Sequence, residues 1–215
     1  DLVLRGINSA EVLDFPDWRT KVAKEARDKA RTEGKTPILA HKFAQIEAMA
    51  KALKENFGDN YPFCNGKPEM SIFWEECGQA CKGKIDWLRN DNRLIVDYKT
   101  TTDANPQAFA RRIFTEGYDI QAAFYLRGLE KITGEKAKFV FVVQEVEAPF
   151  AVSTIEIDRR SLNLAEDKAL YAIEKWQSCC KGGKFDGYGH HFGEVPSFIE
   201  NDWKNKLFLM SEGEI

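Results

Sequence analysis

Apolar positions follow a helical repeat through residues 38–56, where Ile38, Phe43, Ile46, Met49, Ala50 and Leu53 fall near one face. Upstream, residues 17–33 are rich in Lys, Arg, Glu, Asp and Ala and predict an exposed helix, broken by Gly34 and Pro37. Gly58 through Pro62 ends the second segment. Residues 1–60 therefore read as a helical layer over a core supplied later in the chain.

The pattern then changes period. Met70–Cys77 carries large and aromatic residues and predicts a strand, and Lys84–Leu88 and Leu94–Lys99 predict two more. The polar run Arg89-Asn90-Asp91-Asn92-Arg93 between the last two marks an antiparallel hairpin. Residues 106–131 predict a long helical stretch that starts at Pro106, is interruptible at Gly117 and stops at Thr133-Gly134. Phe139–Val143 is a short apolar run of the kind found in a buried central strand, and Phe150–Ile157 alternates like another strand. Residues 159–180 form an amphipathic helix through Leu162, Leu164, Ala169, Ile173 and Trp176. The order is helices, three strands, helix, two strands, helix. It predicts an α/β domain, a mixed central β-sheet with an antiparallel hairpin, flanked by helices.

A chain of 215 residues suits one domain: a helical layer over 1–60, a core over 61–180 and an extension over 181–215. The composition, 43% hydrophobic and 30% charged, has core material enough to fold. A net charge of −3 supplies no general attraction to nucleic acid. Any such contact must come from a local basic patch or from cations bridging acidic groups to phosphates. No apolar run reaches the roughly 18 residues of a membrane span, and no signal peptide is apparent. The start at Asp1 suggests further sequence upstream. Five cysteines, Cys64, Cys77, Cys81, Cys179 and Cys180, are an odd number and predict a reducing, cytoplasmic setting. Their spacing matches no recurrent cluster motif, so they read as buried, reduced side chains, with an iron–sulfur cluster as the alternative.

The candidate chemistry lies in the hairpin. Asp97 and Lys99 are two apart on a strand and share a face, with Val96 and Tyr98 on the other. A hairpin can bring Asp86 beside them. Two close carboxylates repel unless a cation neutralises them, and hard oxygen ligands suit magnesium or manganese. The carbonyl of Tyr98 falls within reach of that ion, and Glu69, after Pro68, is a further carboxylate. Such a site can hydrolyse phosphodiesters: the metal polarises the phosphate and lowers the pKa of a bound water, while a neighbouring lysine stabilises developing charge. Taken alone, Asp-x-Lys on a strand is usually a solvated pair. Here it ends the apolar run Leu94-Ile95-Val96, with a second aspartate upstream.

In this context the sequence resembles the PD-(D/E)XK nuclease superfamily, and more narrowly the RecE-type exodeoxyribonuclease VIII family of phages and prophages. The residues that carry the resemblance are Glu69-Met70-Ser71-Ile72-Phe73-Trp74, Cys81-Lys82-Gly83-Lys84-Ile85-Asp86-Trp87-Leu88 and Ile95-Val96-Asp97-Tyr98-Lys99-Thr100-Thr101. Gly117-Tyr118-Asp119-Ile120-Gln121-Ala122-Ala123-Phe124-Tyr125 and Phe139-Val140-Phe141-Val142-Val143-Gln144-Glu145 complete the series, which spans roughly residues 35–200. The resemblance implies a restriction-endonuclease-like core, Asp86 and Asp97 as metal ligands, Lys99 as catalytic lysine, and Glu69 as ligand or water-orienting acid. It implies that Gln121 and Tyr125, four residues apart on one helix face, contact a phosphate or site water and the DNA backbone. From spacing alone, the same pair reads as a helix packed on a sheet.

The implied function is a magnesium-dependent exonuclease acting on ends of linear duplex DNA from the 5′ side, in a bacterial or phage-encoded recombination system. A RecT-like annealing protein and a homo-oligomeric ring are the implied partners. Alternatives are a RecB-like nuclease with an iron–sulfur cluster and a non-catalytic DNA-binding subunit of the same fold. Arg111 and Arg112, beside the start of the Gln121 helix, are candidate backbone contacts, of which adjacent positions allow at most one. The early-helix histidine usual in RecE-type enzymes is expected upstream of residue 1. His41 reads as an ordinary helix residue, and His190 and His191 as surface residues.

Overall fold

A computed structural model of the chain describes residues 10–187. The chain divides into Asp1–Gln177 and Ser178–Ile215. In the second unit, the Lys184 N–H donates to the Cys179 carbonyl at 3.2 Å, and Lys184 pairs with Asp186 at 3.0 Å. The sheet and the candidate site belong to the first unit.

The first sixty residues are not wholly helical. β1 (Ala10–Leu13) and β2 (Thr36–Leu39) form a short parallel pair around α1 (Lys21–Thr32). Pro37 explains the difference: its ring keeps Thr36 extended, so Ile38 and Leu39 continue a strand before α2 (Ala40–Phe57) begins. Thr20 caps α1 through its hydroxyl, and Lys29 and Arg31 sit in the last turn, where cations favour the helix dipole.

The main sheet has the strand order β3 (Gly66–Glu76), β4 (Gln79–Arg89), β5 (Leu94–Thr101), β6 (Lys138–Glu145), β7 (Val152–Glu156). Only β5 and β6 are parallel; the other joins are antiparallel. A parallel join requires a long crossover. It is made by α3 (Pro106–Thr115) and α4 (Tyr118–Thr133), separated at Gly117, whose φ of +71° suits a residue without Cβ. The Asn105 side chain caps α3 ahead of Pro106. α5 (Arg159–Gly182) follows the sheet. Among the described residues no helix is long and apolar enough to cross a membrane.

Each face of the sheet has its own core. Ile72, Trp74, Ile85, Ile95 and Phe141 pack with Phe109, Ile113, Ala122 and Leu129 of α3 and α4. Trp87, Val96 and Val142 pack with Leu53 of α2 and Phe63. α4 approaches closely because Gly128 faces Trp74: a Cβ there would stand 2.8 Å from the indole.

The β3–β4 strands are longer than their apolar runs predict. They turn through Cys77 and Gly78, both at positive φ, a two-residue hairpin whose register closes at Glu76↔Gln79. The ladder then runs to Gly66↔Arg89 with one pair missing, the one that would join Glu69 to Asp86. Glu69 has φ +56°, uncommon for a residue with a side chain. The distortion shifts the strand's phase: Ile85 and Leu88 enter the first core although three apart, and Trp87 enters the second.

Candidate active site

β5 supplies the centre of the site. Ile95 and Val96 hold the strand in the two cores, and the alternation puts Asp97 and Lys99 on the α4 side. Asp97 is 1% exposed. Its Oδ2 lies 2.7 Å from Lys99 Nζ, and its Oδ1 accepts from Gln121 Nε2 at 2.8 Å. Lys99 Nζ in turn donates to Gln121 Oε1 at 3.1 Å. The three side chains close a ring in which the amide of α4 bridges acid and base of β5. The Tyr118 ring completes it, with Lys99 Nζ 4.5 Å from the ring centre.

Asp86 comes from the neighbouring strand. β4 pairs with β5 at Leu88↔Ile95 and Trp87↔Val96, and the next residues along the two strands are Asp86 and Asp97. In place of a further pair, Asp86 Oδ2 accepts the Tyr98 main-chain N–H at 3.0 Å. Burial pushes the Asp86 carboxyl up to about 6, with the Asp97 charge as the next cause; the Tyr98 N–H and Lys99 oppose the shift. Burial also raises Asp97, against Lys99 and Gln121. On the opposite face, the half-buried Tyr98 phenol is raised by desolvation and donates to Gln144 Oε1 at 2.5 Å.

Glu69 sits at the ladder gap and pairs with Lys84. Its charge acts on Asp86 more weakly than burial, Asp97, the Tyr98 N–H or Lys99. Tyr125 lies one turn beyond Gln121, its ring against Gly83 of β4, where a Cβ would meet it at 2.9 Å. Arg112 Nη1 donates to Thr101 Oγ1 at 2.8 Å and lies over the Phe109 ring, whereas Arg111 is exposed. His41 is exposed on α2. His190 and His191 lie outside the described residues. Sequence reasoning assigned no role to Tyr118 or Lys84. The signals were present: Tyr118 is three before Gln121 on one helix face, and Lys84 is two before Asp86 on one strand.

Among the described residues no three His, Cys, Asp or Glu side chains gather as a ready metal cluster, cysteine ligands included. The pair Asp86 and Asp97 nonetheless fits a hard divalent cation. They are two mutually repelling, poorly solvated carboxylates, both with proton affinity raised, and a cation would reverse that imbalance. Remaining ligands would be water or main-chain oxygen, the Tyr98 carbonyl being the candidate.

A mixed sheet with an acid–acid–lysine set at its distorted centre is a PD-(D/E)XK-like architecture. The chain belongs to the family described as "PDDEXK-like domain of unknown function (DUF3799)", whose model matches residues 12–191. The fold is similar to the crystal structure of a "Putative exonuclease" from Eubacterium rectale, with a TM-score of 0.57 and 18% identity, covering 83% of this chain and 71% of that one. The crystal structure of SSO0001 is more distant, with a TM-score of 0.34 and 15% identity, covering 61% and 58% of the two chains. Among curated proteins none matches.

Proposed function

We propose that this chain is a divalent-metal-dependent deoxyribonuclease that degrades linear duplex DNA from its ends, from the 5′ side, for recombination. The carrying observation is the closed Asp97–Lys99–Gln121 ring with Asp86 beside it, on a chain of a PDDEXK-like family. Superfamily members generally use divalent metals, and the structural neighbour from Eubacterium rectale carries an exonuclease description. Magnesium or manganese held by Asp86 and Asp97 would polarise the scissile phosphate and supply a water of lowered pKa.

The chain's own side chains do the rest. Lys99 is held by Asp97 and Gln121 against the Tyr118 ring, one side-chain rotation from where its ammonium would meet charge developing on the phosphoryl oxygens. Gln121 can turn its amide to a phosphate or water once Lys99 swings toward substrate. Glu69 is a further acid for orienting water. Tyr125 and Arg111, the exposed member of the arginine pair, are the proposed backbone contacts, while Arg112 is turned to Thr101. A ring of copies and an annealing protein of the RecT kind belong to the same proposal, because a weakly attracting, net-negative enzyme stays on DNA best by enclosing it.

Supercoiled plasmid beside the same plasmid linearised, with and without magnesium, tests this. Metal-dependent loss of the linear form with the closed circle intact is expected. Rapid nicking of the circle rejects end-directed action, and no cleavage of either form with any divalent metal rejects the nuclease. Duplexes labelled separately at each 5′ and 3′ end read the polarity.

A further inference from the structure

The outer face of the β3–β4 hairpin has no part in either core. Phe73 stands there 70% exposed. The register places it directly opposite Lys82, and the next same-face pair is Ser71 opposite Lys84. Opposed residues of an antiparallel pair project to the same side, so Phe73, Lys82, Ser71 and Lys84 form one patch. The other face of these strands carries Ile72, Trp74, Cys81 and Ile85 to the core. Among the described residues Lys82 has no ion-pair partner. Lys84 reaches Glu69 at the ladder gap, the point at which this face comes nearest Asp86. Acidic groups bound the lysine pair at both ends, Glu75 beyond Phe73 and Glu69 at the gap.

We propose that this hairpin face is a track for one unpaired nucleic-acid strand, with Phe73 as a base-stacking platform and Lys82 and Lys84 as phosphate contacts. The inference rests on the nuclease reading for its direction, since the strand leads from Phe73 past Lys84 to Glu69 and Asp86. Two features select a single strand over a duplex. An exposed ring can stack only on a base freed from its own neighbours. Two lysines two residues apart, roughly 7 Å along a strand, follow an extended backbone of phosphates. In a chain with a net charge of −3, a local lysine pair beside an exposed aromatic is the kind of patch that such binding requires.

The test uses the full chain in EDTA, so that binding is read without cleavage, with a fluorescent oligo-dT and a blunt duplex of equal length as probes. Phe73→Ala is expected to weaken oligo-dT binding by about tenfold or more, the usual worth of one stacked base. Lys82→Ala is expected to lower the salt dependence of oligo-dT binding by about 0.7 in log–log slope. Both should change duplex affinity much less. Both positions are exposed, so unchanged melting temperatures are expected and certify the fold. Turnover of a short phosphodiester that cannot reach the hairpin should match the parent. Oligo-dT affinity equal to the parent in both variants overturns the track while leaving the nuclease standing. So does a parent dimer that Phe73→Ala dissociates with no change in DNA binding, since the face would then be an interface between copies. A parent that cleaves nothing but loses oligo-dT on these substitutions removes the nuclease and keeps the track.

Discussion

At the residue scale, the site concentrates unfavourable charge and offsets it with one lysine. Lys99 is the cation nearest Asp97, and its orientation depends on Gln121. Lys99→Ala should lower turnover by about a hundredfold or more, while anisotropy measurements show duplex binding close to the parent. Near-normal turnover would make Lys99 a structural counter-ion only. Asp86 gives a pH signature. Its carboxyl sits at about 6 against an ordinary 3.8. Between those values the folded chain keeps a proton that the unfolded chain has lost. The stability this group contributes is therefore present below about pH 4, declines as pH rises and is gone above about 6. In EDTA at about pH 8, Asp86→Asn should exceed the parent in stability by about 1–3 kcal/mol, a gain of several degrees at roughly 2–4 °C per kcal/mol. The difference should close near pH 4, and magnesium should raise the melting temperature of the parent alone. An Asp86→Asn variant no more stable than the parent at high pH would show that the acid is well solvated.

At the element scale, α4 delivers Gln121 and Tyr118, and its distance from the sheet is set by Gly128 on Trp74. Helix propensity favours alanine over glycine by about 1 kcal/mol. Packing runs the other way: a Cβ 2.8 Å from the indole must displace ring or helix. Gly128→Ala should lose about 1–3 kcal/mol from overpacking, seen as a lower urea midpoint, and should lower turnover because Gln121 moves with the helix. An unchanged or higher midpoint would mean that Trp74 gives way freely. The elements themselves were largely legible. The apolar runs located β5 and β6, and Pro106, Gly117 and Thr133-Gly134 located α3 and α4. β1 and β2 were not legible, since four-residue strands next to helix-like composition carry no periodicity. The full length of β3 and β4 was hidden by a Cys77-Gly78 turn, which lacks the usual Asn-Gly signal.

At the scale of the whole molecule, Gln144 joins the layers. It is fully buried, accepts the Tyr98 hydroxyl, and donates to the Met49 carbonyl of α2 at 3.0 Å and to the Phe150 carbonyl at 3.3 Å. Gln45 adds a second tie from α2, donating to the Val146 carbonyl at 2.6 Å. Gln144→Leu keeps the volume but leaves the half-buried Tyr98 phenol without its acceptor and the Met49 carbonyl without its donor. It should cost about 2–4 kcal/mol, from more than one buried group losing its partner, measured by urea unfolding. A midpoint equal to the parent's would show that water replaces these bonds. The Tyr98 backbone N–H holds the Asp86 carboxyl down, so a variant that loosens Tyr98 should also widen the pH difference between Asp86→Asn and its parent.

Sequence alone determined that Asp97 and Lys99 share a face, that Val96 and Tyr98 take the other, and that a helix bearing Gln121 follows, because these depend on spacing within one element. Tertiary structure decided which partners meet. Gln121 bridges Asp97 and Lys99 only because α4 crosses over β5 on its way to the parallel strand β6. Glu69 and Asp86 occupy the one missing rung of the β3–β4 ladder, a matter of register between strands that no local pattern encodes. Arg112 turned to Thr101 and Glu69 to Lys84 for the same reason: a charged side chain takes the nearest partner in space, and nearness between elements is set by the packing of the whole sheet.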